Sequence, residues 1–544
     1  MGRGYPAACL VAYLLLGVAL YSRTLGAFFL SDDFPVIQGI CERGALAHWI
    51  GHEAAFLRPL VTVSHFLELS TFGLRPLGFH LTNTILHSLG AFVVFLLTSA
   101  IDRVKPGPPV VGRAGAFLAG LLFLALGTHP ESVSWISGRA DLLAALLALV
   151  SILLYVRHLE RDERRAGLTI GLSLTFYAAA LLTKESAVAV LPVVIVLGLF
   201  LPNRRGSRLR SIAPYVLVSI GYAGLRYLLL GKLVGGYGAG VHSRLSAEVL
   251  GKLLLYFPSR TLIPALGTAN VGATPAPLNV LAFAALVVAI VALSLRGRRY
   301  RLTRTELILV VASMLTLIPT IGLSVSAWDS QGTRFLYFPS ALFTITLVAA
   351  LVRVLGRRGA AAVTAALILS SAAWAWRVNE NWRSAGHLTR RIVEDVRRAP
   401  PCSRMIVINL PDSIRGAYVF RNGIGSAAAL FCDGKRSEDV VTICSHPVSD
   451  AAEAFPIIEE ADGRYHICLP EGCPVAVCPP YRRLGTAGEL EEFERDADGI
   501  RFRPLAPDTR DLPVYYCYYS SGGLRAVAPT RGRSPGRPTA PERT

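Results

Sequence analysis

Apolar runs of about 15–20 residues recur through the first two-thirds of this chain, a length matched to the hydrocarbon core of a bilayer and too repetitive for one water-soluble core. They fall near 7–22, 79–100, 114–128, 139–156, 168–183, 186–202, 211–230, 277–296, 305–322, 336–354 and 360–377, about eleven in all. Backbone polar groups inside lipid must pair within their own segment, so these runs predict helices and not open strands. A hydrophobic content of 52% and a mean hydropathy of +0.47 agree with a membrane protein.

The formal net charge of +18 would suit a nucleic-acid binder, but its distribution excludes that reading. Arginines gather in alternate short loops: Arg103 and Arg113; Arg157, Arg161, Arg164 and Arg165; Arg204, Arg205, Arg208 and Arg210; Arg296, Arg298, Arg299, Arg301 and Arg304; Arg353, Arg357 and Arg358. Membrane spans separate these clusters, which therefore read as the positive-inside signal of cytoplasmic loops. With the N-terminus inside, an odd number of crossings places the C-terminal region outside. Residues 1–22 could instead be a cleaved signal peptide; no small-x-small site follows cleanly, and a retained helix is expected.

The outside loops are unequal, the longest being 23–78 and 231–276. Within the first, LVTVSHFLELSTFGL reads as a helix lying at the interface, and 246–266 reads the same way. Residues 1–380 form the expected membrane domain, 381–399 an amphipathic helical connector, 400–524 a small β-rich or α/β extracytoplasmic domain, and 525–544 a Pro/Arg-rich disordered tail. The strand signals are MIVINL, GAYVF, DVVTIC, YHICL and VAVC. Of the nine cysteines, Cys402, Cys432, Cys444, Cys468, Cys473, Cys478 and Cys517 follow the last apolar run. In an oxidising compartment that density predicts disulfides.

Polar residues collect where helices meet the outer surface. Asp32 and Asp33 follow the first helix, and Arg58 opens the interfacial segment. His129, Glu131, Arg139 and Asp141 flank the turn in THPESVSWISGRADLL. Lys184 and Glu185 occupy LLTKESAV, and Arg334 and Tyr337 stand in SAWDSQGTRFLYFPS. Charges at bilayer depth cost roughly 2.5–3.5 kcal/mol each on insertion scales, so their convergence marks either function or ion pairing, for instance of Lys184 with Glu131 or Glu185.

The strings FLSDDFPVI, RPLVTVSHFLELSTFGLRPLGFHLTNTILHSLGAFVV, LALGTHPESVSWISGRADLLAALLAL, LLTKESAVAVLPV and RFLYFPS resemble membrane O-mannosyltransferases that carry tetratricopeptide repeats, members of the GT-C superfamily. The resemblance covers roughly residues 10–345; the repeats are absent, and the cysteine-rich region stands in their place. It implies a GT-C-like helical membrane core and an inverting glycosyltransferase that takes a sugar, mannose in that family, from a polyprenyl-phosphate donor. Asp32 then resembles the catalytic base, with Asp33 its partner. Arg58 matches a basic position near the lipid phosphate, Arg334 resembles another phosphate contact, and Arg139 and Lys184 are further candidates. His129, Glu131, Asp141, Glu185 and Tyr337 complete the expected site.

The chemistry fits these residue types. A hydroxyl is a poor nucleophile, and a carboxylate must take its proton as it attacks the anomeric carbon. The leaving polyprenyl phosphate gains charge, which an arginine fork is shaped to hold. No phosphate-binding glycine loop occurs, and the adjacent acids Asp32 and Asp33 lack the spaced D-x-D arrangement of nucleotide-sugar enzymes, so a nucleotide-sugar donor is not expected; a divalent metal is conceivable and not favoured, and no protein metal site is expected. The partners implied are the membrane lipid donor and a protein, glycan or lipid acceptor, with no nucleic acid. The alternative is a multi-spanning transporter or lipid flippase, but its charges would be expected mid-helix and not at helix mouths. An Arg-, Ala- and Gly-rich composition is compatible with a bacterial inner-membrane protein whose C-terminal domain lies in the periplasm.

Overall fold

A computed structural model describes residues 4–47, 50–51, 56–104, 110–160, 163–201, 208–233, 251, 256–262, 303–320, 323, 325–326, 329–399, 403–460, 463–470, 473–478, 490–495, 498–504 and 514–527. The chain forms two compact units, Met1–His387 with Arg415–Ala417, and Leu388–Ile414 with Tyr418–Thr544.

The first unit is helical. Its apolar helices are α1 (Gly4–Tyr21), α4 (Pro76–Val104), α5 (Gly112–Ala125), α7 (Arg139–Glu160), α8 (Glu163–Leu181), α9 (Val190–Phe200), α10 (Arg208–Leu230), α12 (Arg304–Leu315) and α13 (Tyr337–Arg398), the last belonging to this unit as far as His387. Between them lie α2 (Asp33–Ala47), α3 (Pro59–Phe72), α6 (Pro130–Ser134), α11 (Phe257–Leu262) and a short ladder of β1 (Ile50–Gly51) with β2 (Phe56–Leu57). Among the described residues, five segments are long and apolar enough to cross a bilayer: Gly4–Thr24, Pro76–Val104, Ile136–Glu160, Leu209–Leu230 and Thr333–Arg398.

Among the described residues these five segments do not account for all of the eleven expected crossings. The expected span at 277–296 and most of the interfacial stretch at 246–266 lie outside the described residues. The runs at 336–354 and 360–377 lie on either side of a break in α13 at Gly356, whose φ of 71° no β-carbon-bearing residue adopts easily. The remaining runs give α5, α8, α9 and α12 of 14, 19, 11 and 12 residues, at or below the ~20 needed to span alone.

Two devices hold the bundle. Hydroxyls on α4 bond back to their own helix, as Thr98 does to Val94 (2.7 Å) and Ser99 to Phe95 (2.9 Å), so they add no unsatisfied group. Others bridge helices: Tyr177 Oη lies 2.7 Å from Ser219 Oγ, and Ser173 Oγ donates to the Ser151 carbonyl at 2.6 Å. Around them α1, α4, α5, α7 and α9 share one continuous apolar core.

Because successive helices reverse direction, the starts of α4, α7 and α13 and the α8–α9 turn lie at one end. Arg103, paired with Glu160 (3.3 Å), and Arg353, paired with Glu306 (2.7 Å), lie at the other. Gly386 on α13 is needed for close approach: a β-carbon there would stand 2.7 Å from the Phe28 backbone nitrogen, in the strand of chain that delivers Asp32.

The second unit is mixed α/β. Its strands are β3 (Arg404–Ile414), β4 (Ala417–Tyr418, of which Tyr418 is in this unit), β5 (Val440–Val448), β6 (Ile457–Glu459), β7 (Tyr465–Cys468), β8 (Ala476–Val477), β9 (Leu490–Arg495), β10 (Gly499–Pro504), β11 (Val514–Ser520) and β12 (Gly523–Ala526). One sheet runs β12-β11-β3-β5-β8, with β11, β3 and β5 parallel, and the other runs β6-β7-β10-β9. Helix α14 (Ile424–Phe431) supplies the crossover that parallel β3 and β5 require. MIVINL, DVVTIC, YHICL and VAVC lie in β3, β5, β7 and β8 as their composition predicts.

Among the described residues the expected disulfides are not formed by Cys432, Cys444, Cys468, Cys473 and Cys517, which are thiols. Cys444 is fully buried with its Sγ 2.8 Å from the Ile408 carbonyl, so it serves as a small core residue. Cys402 lies outside the described residues.

Candidate active site

The two adjacent acids have separated roles. Asp33 opens α2 and is 1% exposed; its Oδ2 accepts the Leu30 backbone N–H (2.9 Å), and its Oδ1 accepts both the Ser137 N–H (2.8 Å) and the Ser137 hydroxyl (2.5 Å). Those bonds tie the first long loop to the turn before α7. Asp32, one residue earlier, is only half-buried. The tight turn that reverses them places Ser31 at a φ of 46°, a conformation non-glycine residues seldom adopt.

Burial pushes the Asp33 carboxyl up to about 7, with the neighbouring Asp32 acting in the same direction, against the hydrogen bonds from Ser137 and Leu30. The folded protein thus holds its proton to higher pH than the unfolded chain does, so Asp33 contributes stability that is complete below about pH 4 and lost as pH rises toward 7. Relative to Asp33→Asn, the wild type should lose up to about 1.4 kcal/mol per pH unit across that window. Thermal unfolding of both proteins at pH 5 and pH 8 checks this; a gap that widens with pH would contradict it.

Every expected cation has a carboxylate partner. Lys184 Nζ meets Asp141 Oδ1 at 2.5 Å, a partner the sequence did not suggest. Glu185 grips Arg58 at two points, Oε1 to Nη2 at 2.8 Å and Oε2 to Nε at 3.4 Å. Glu131 is fully buried and pairs with Arg334 Nη1; it also accepts the Arg334 N–H (2.8 Å), the Gly332 N–H (3.1 Å) and the Thr333 hydroxyl (3.2 Å). One carboxylate therefore shapes the whole turn that carries Arg334.

Arg139 departs furthest from a ligand-facing role. It is 0% exposed; Nη1 pairs with Glu68, Nε donates to Asn83 Oδ1 (2.8 Å) and Nη2 to the Phe79 carbonyl (2.9 Å). It locks α3 and α4 to α7 and offers no surface to a phosphate. Arg58 and Arg334 keep 18% and 13% of their side-chain surface, against 3% for Lys184.

Aromatic rings connect these pairs into one cluster. The Trp135 indole N–H donates to the Leu30 carbonyl (3.4 Å), and the Arg334 guanidinium lies 5.2 Å from the Trp135 ring centre. Arg334 and Lys184 flank Phe335 at 4.7 and 5.3 Å, and Arg58 lies 3.8 Å over Phe56. His129 and Tyr337 are buried beneath the Arg334 turn, with His129 Nε2 2.9 Å from Ser340 Oγ.

Sequence reasoning missed Glu68 and Arg260. Glu68 was hidden in an apolar stretch, although a carboxylate there is itself a signal of a buried partner. Arg260 in α11 is 1% exposed and donates through Nη2 to the Ser326 and Asp329 carbonyls (2.8 and 2.9 Å), holding the segment that leads to Arg334.

Comparison with known proteins finds relatives over about a third of the chain. Protein O-mannosyl-transferase Tmtc1 of Drosophila melanogaster is 38% identical over 199 residues, 32% of this chain and 21% of that protein. The chain resembles protein O-mannosyl-transferases. Human TMTC2 is 33% identical over 218 residues, 37% of this chain and 25% of the relative. The chain thus spans about a fifth to a quarter of the length of the curated relatives it matches. No family model matches. Among solved structures, ArnT from Cupriavidus metallidurans bound to undecaprenyl phosphate has a TM-score of 0.45 at 12% identity, covering 82% of this chain and 94% of that one. An oligosaccharyltransferase of Archaeoglobus fulgidus has a TM-score of 0.45 at 14% identity, covering 74% and 60%.

Proposed function

We propose that this chain is an inverting glycosyltransferase of GT-C type, moving a sugar from a polyprenyl-phosphate donor to a hydroxyl acceptor at the extracytoplasmic surface of a membrane. The observation that carries the reading is the pair of partly exposed cations at the helix mouths: Arg58 and Arg334, each paired with a carboxylate, keep 18% and 13% of their side-chain surface, while Asp33, held by three hydrogen bonds, fixes the loop that carries half-buried Asp32. The similarity of about a third of the chain to protein O-mannosyl-transferases supports it and favours mannose as the sugar.

In one displacement, the Asp32 carboxylate takes the acceptor hydroxyl's proton as that oxygen bonds to the anomeric carbon. The bond from that carbon to the phosphate oxygen breaks on the opposite side, and the polyprenyl phosphate leaves with an added negative charge. Arg58 and Arg334, the partly exposed members of the cluster, hold that phosphate. Arg139 and Lys184 keep the frame, through Glu68 and Asp141. A protein acceptor is favoured by the relatives' names, and the lipid donor is a membrane component, which suits a site at helix mouths.

The test is transfer by membranes or purified protein from radiolabelled polyprenyl-phosphate sugars, with nucleotide sugars as the control donor. Labelled acceptor from the lipid donor alone is expected; labelling from nucleotide sugar only, or none from any lipid donor, would overturn the reading. In the same assay Arg58→Ala should raise the donor KM about tenfold or more, with kcat changed far less, the pattern of a lost binding contact. An unchanged donor KM would remove Arg58 from the phosphate site.

A further inference from the structure

Beneath the Glu131–Arg334 pair lies a buried group of uncharged polar side chains with no part in the chemistry above. His87 on α4, His129 ahead of α6, and Tyr337 and Ser340 on α13 are each at most 1% exposed. His87 Nε2 stands 3.0 Å from the Leu124 carbonyl oxygen, and its Nδ1 stands 2.8 Å from the Tyr337 hydroxyl. A carbonyl can only accept, so Nε2 carries the ring proton; Nδ1 of the neutral ring then accepts, and the Tyr337 hydroxyl donates to it. The direction of the bond is set by the main chain of α5.

Tyr337 is restrained on its other sides as well. Ser340 Oγ donates to the Tyr337 carbonyl at 2.7 Å, and the rings of His129 and Phe123 pack on it at 4.6 and 5.3 Å between centres. Its own N–H donates to the Arg334 carbonyl, so the turn Thr333–Leu336 continues directly into it. Glu131 fixes the guanidinium of Arg334 from α6. The His87–Tyr337 bond is what ties the far end of the same turn to α4, the long helix at the centre of the bundle.

The geometry points to His87 as a positioning residue for the donor-phosphate cation: through the Tyr337 hydroxyl it sets the register of the turn that aims Arg334. The assignment rests on the proposed role of Arg334 and deepens it. A misplaced cation weakens phosphate binding even when it remains in the protein, since catalytic geometry tolerates little displacement.

The experiment is a double-mutant cycle on the full chain in detergent, using His87→Phe, Tyr337→Phe and both together. Its first readout, thermal unfolding, needs no donor. Both single losses should lower the melting temperature, and the double variant should fall little further, because the second change removes a hydroxyl already stranded. Additive losses would overturn the bond itself. The second readout is donor kinetics: Tyr337→Phe and His87→Phe should each raise donor KM about tenfold, with kcat nearly kept and no further rise in the double variant. Non-additive melting with unaltered donor KM would show a merely structural contact and overturn the positioning role. Wild-type protein that uses no polyprenyl-phosphate sugar would overturn the proposed function instead, while the melting cycle still decides whether His87 and Tyr337 act as one unit.

Discussion

Replacing Asp32 by Asn should lower turnover by about 10²–10⁴-fold, the usual contribution of a positioned general base, while the donor KM stays within about twofold. The amide keeps the size of the side chain and cannot take the acceptor's proton. Asp33→Asn should behave differently. Its amide nitrogen cannot accept the Leu30 N–H that Oδ2 now accepts at 2.9 Å, so stability and folded yield should fall along with activity. Steady-state kinetics together with thermal unfolding separate the two. Wild-type turnover in Asp32→Asn would remove it as the base.

The second large effect is expected at Glu131. It is fully buried and supplies the anion for Arg334, two backbone N–H groups and the Thr333 hydroxyl. Glu131→Gln removes the charge that Arg334 Nη1 pairs with in a site of low polarity, and breaking a buried pair from one side costs about 3–5 kcal/mol. Both melting temperature and donor affinity should drop. Adding Arg334→Gln should restore much of the stability, because no uncompensated charge then remains, and should restore none of the activity. Recovery of activity in the double variant would show that Arg334 has no part in donor binding.

How much of this was legible in the sequence depended on whether the signal was local. Helix-length apolar runs and the β-favouring runs after residue 400 announce themselves by composition, and α1, α4, α7, α10 and β3, β5 and β7 follow. The acidic pair and the mouth cations were visible too, because charges are rare near such runs. Their pairings were not. Lys184 reaches Asp141, 43 residues away, and Arg58 reaches Glu185 across 127, so only the packing of α7, α8 and α3 decides who meets whom. Nor could sequence separate Asp33 from Asp32, since the difference is made by Ser137, 104 residues further on. Arg139 looked like a phosphate ligand for the same reason: Glu68 and Asn83, which consume it, lie on other helices. The cysteines misled because their density was read as a framework, whereas Cys444 and Cys517 are packed as apolar side chains of β5 and β11.

Sidedness is the most direct test of the account. Cys41 is exposed on α2, in the loop that carries Asp32. In a variant keeping Cys41 as its sole cysteine, a membrane-impermeant maleimide added to sealed right-side-out vesicles should label the protein without permeabilisation. Labelling only after the membrane is opened would place Asp32 on the cytoplasmic side and contradict sugar transfer at the outer surface.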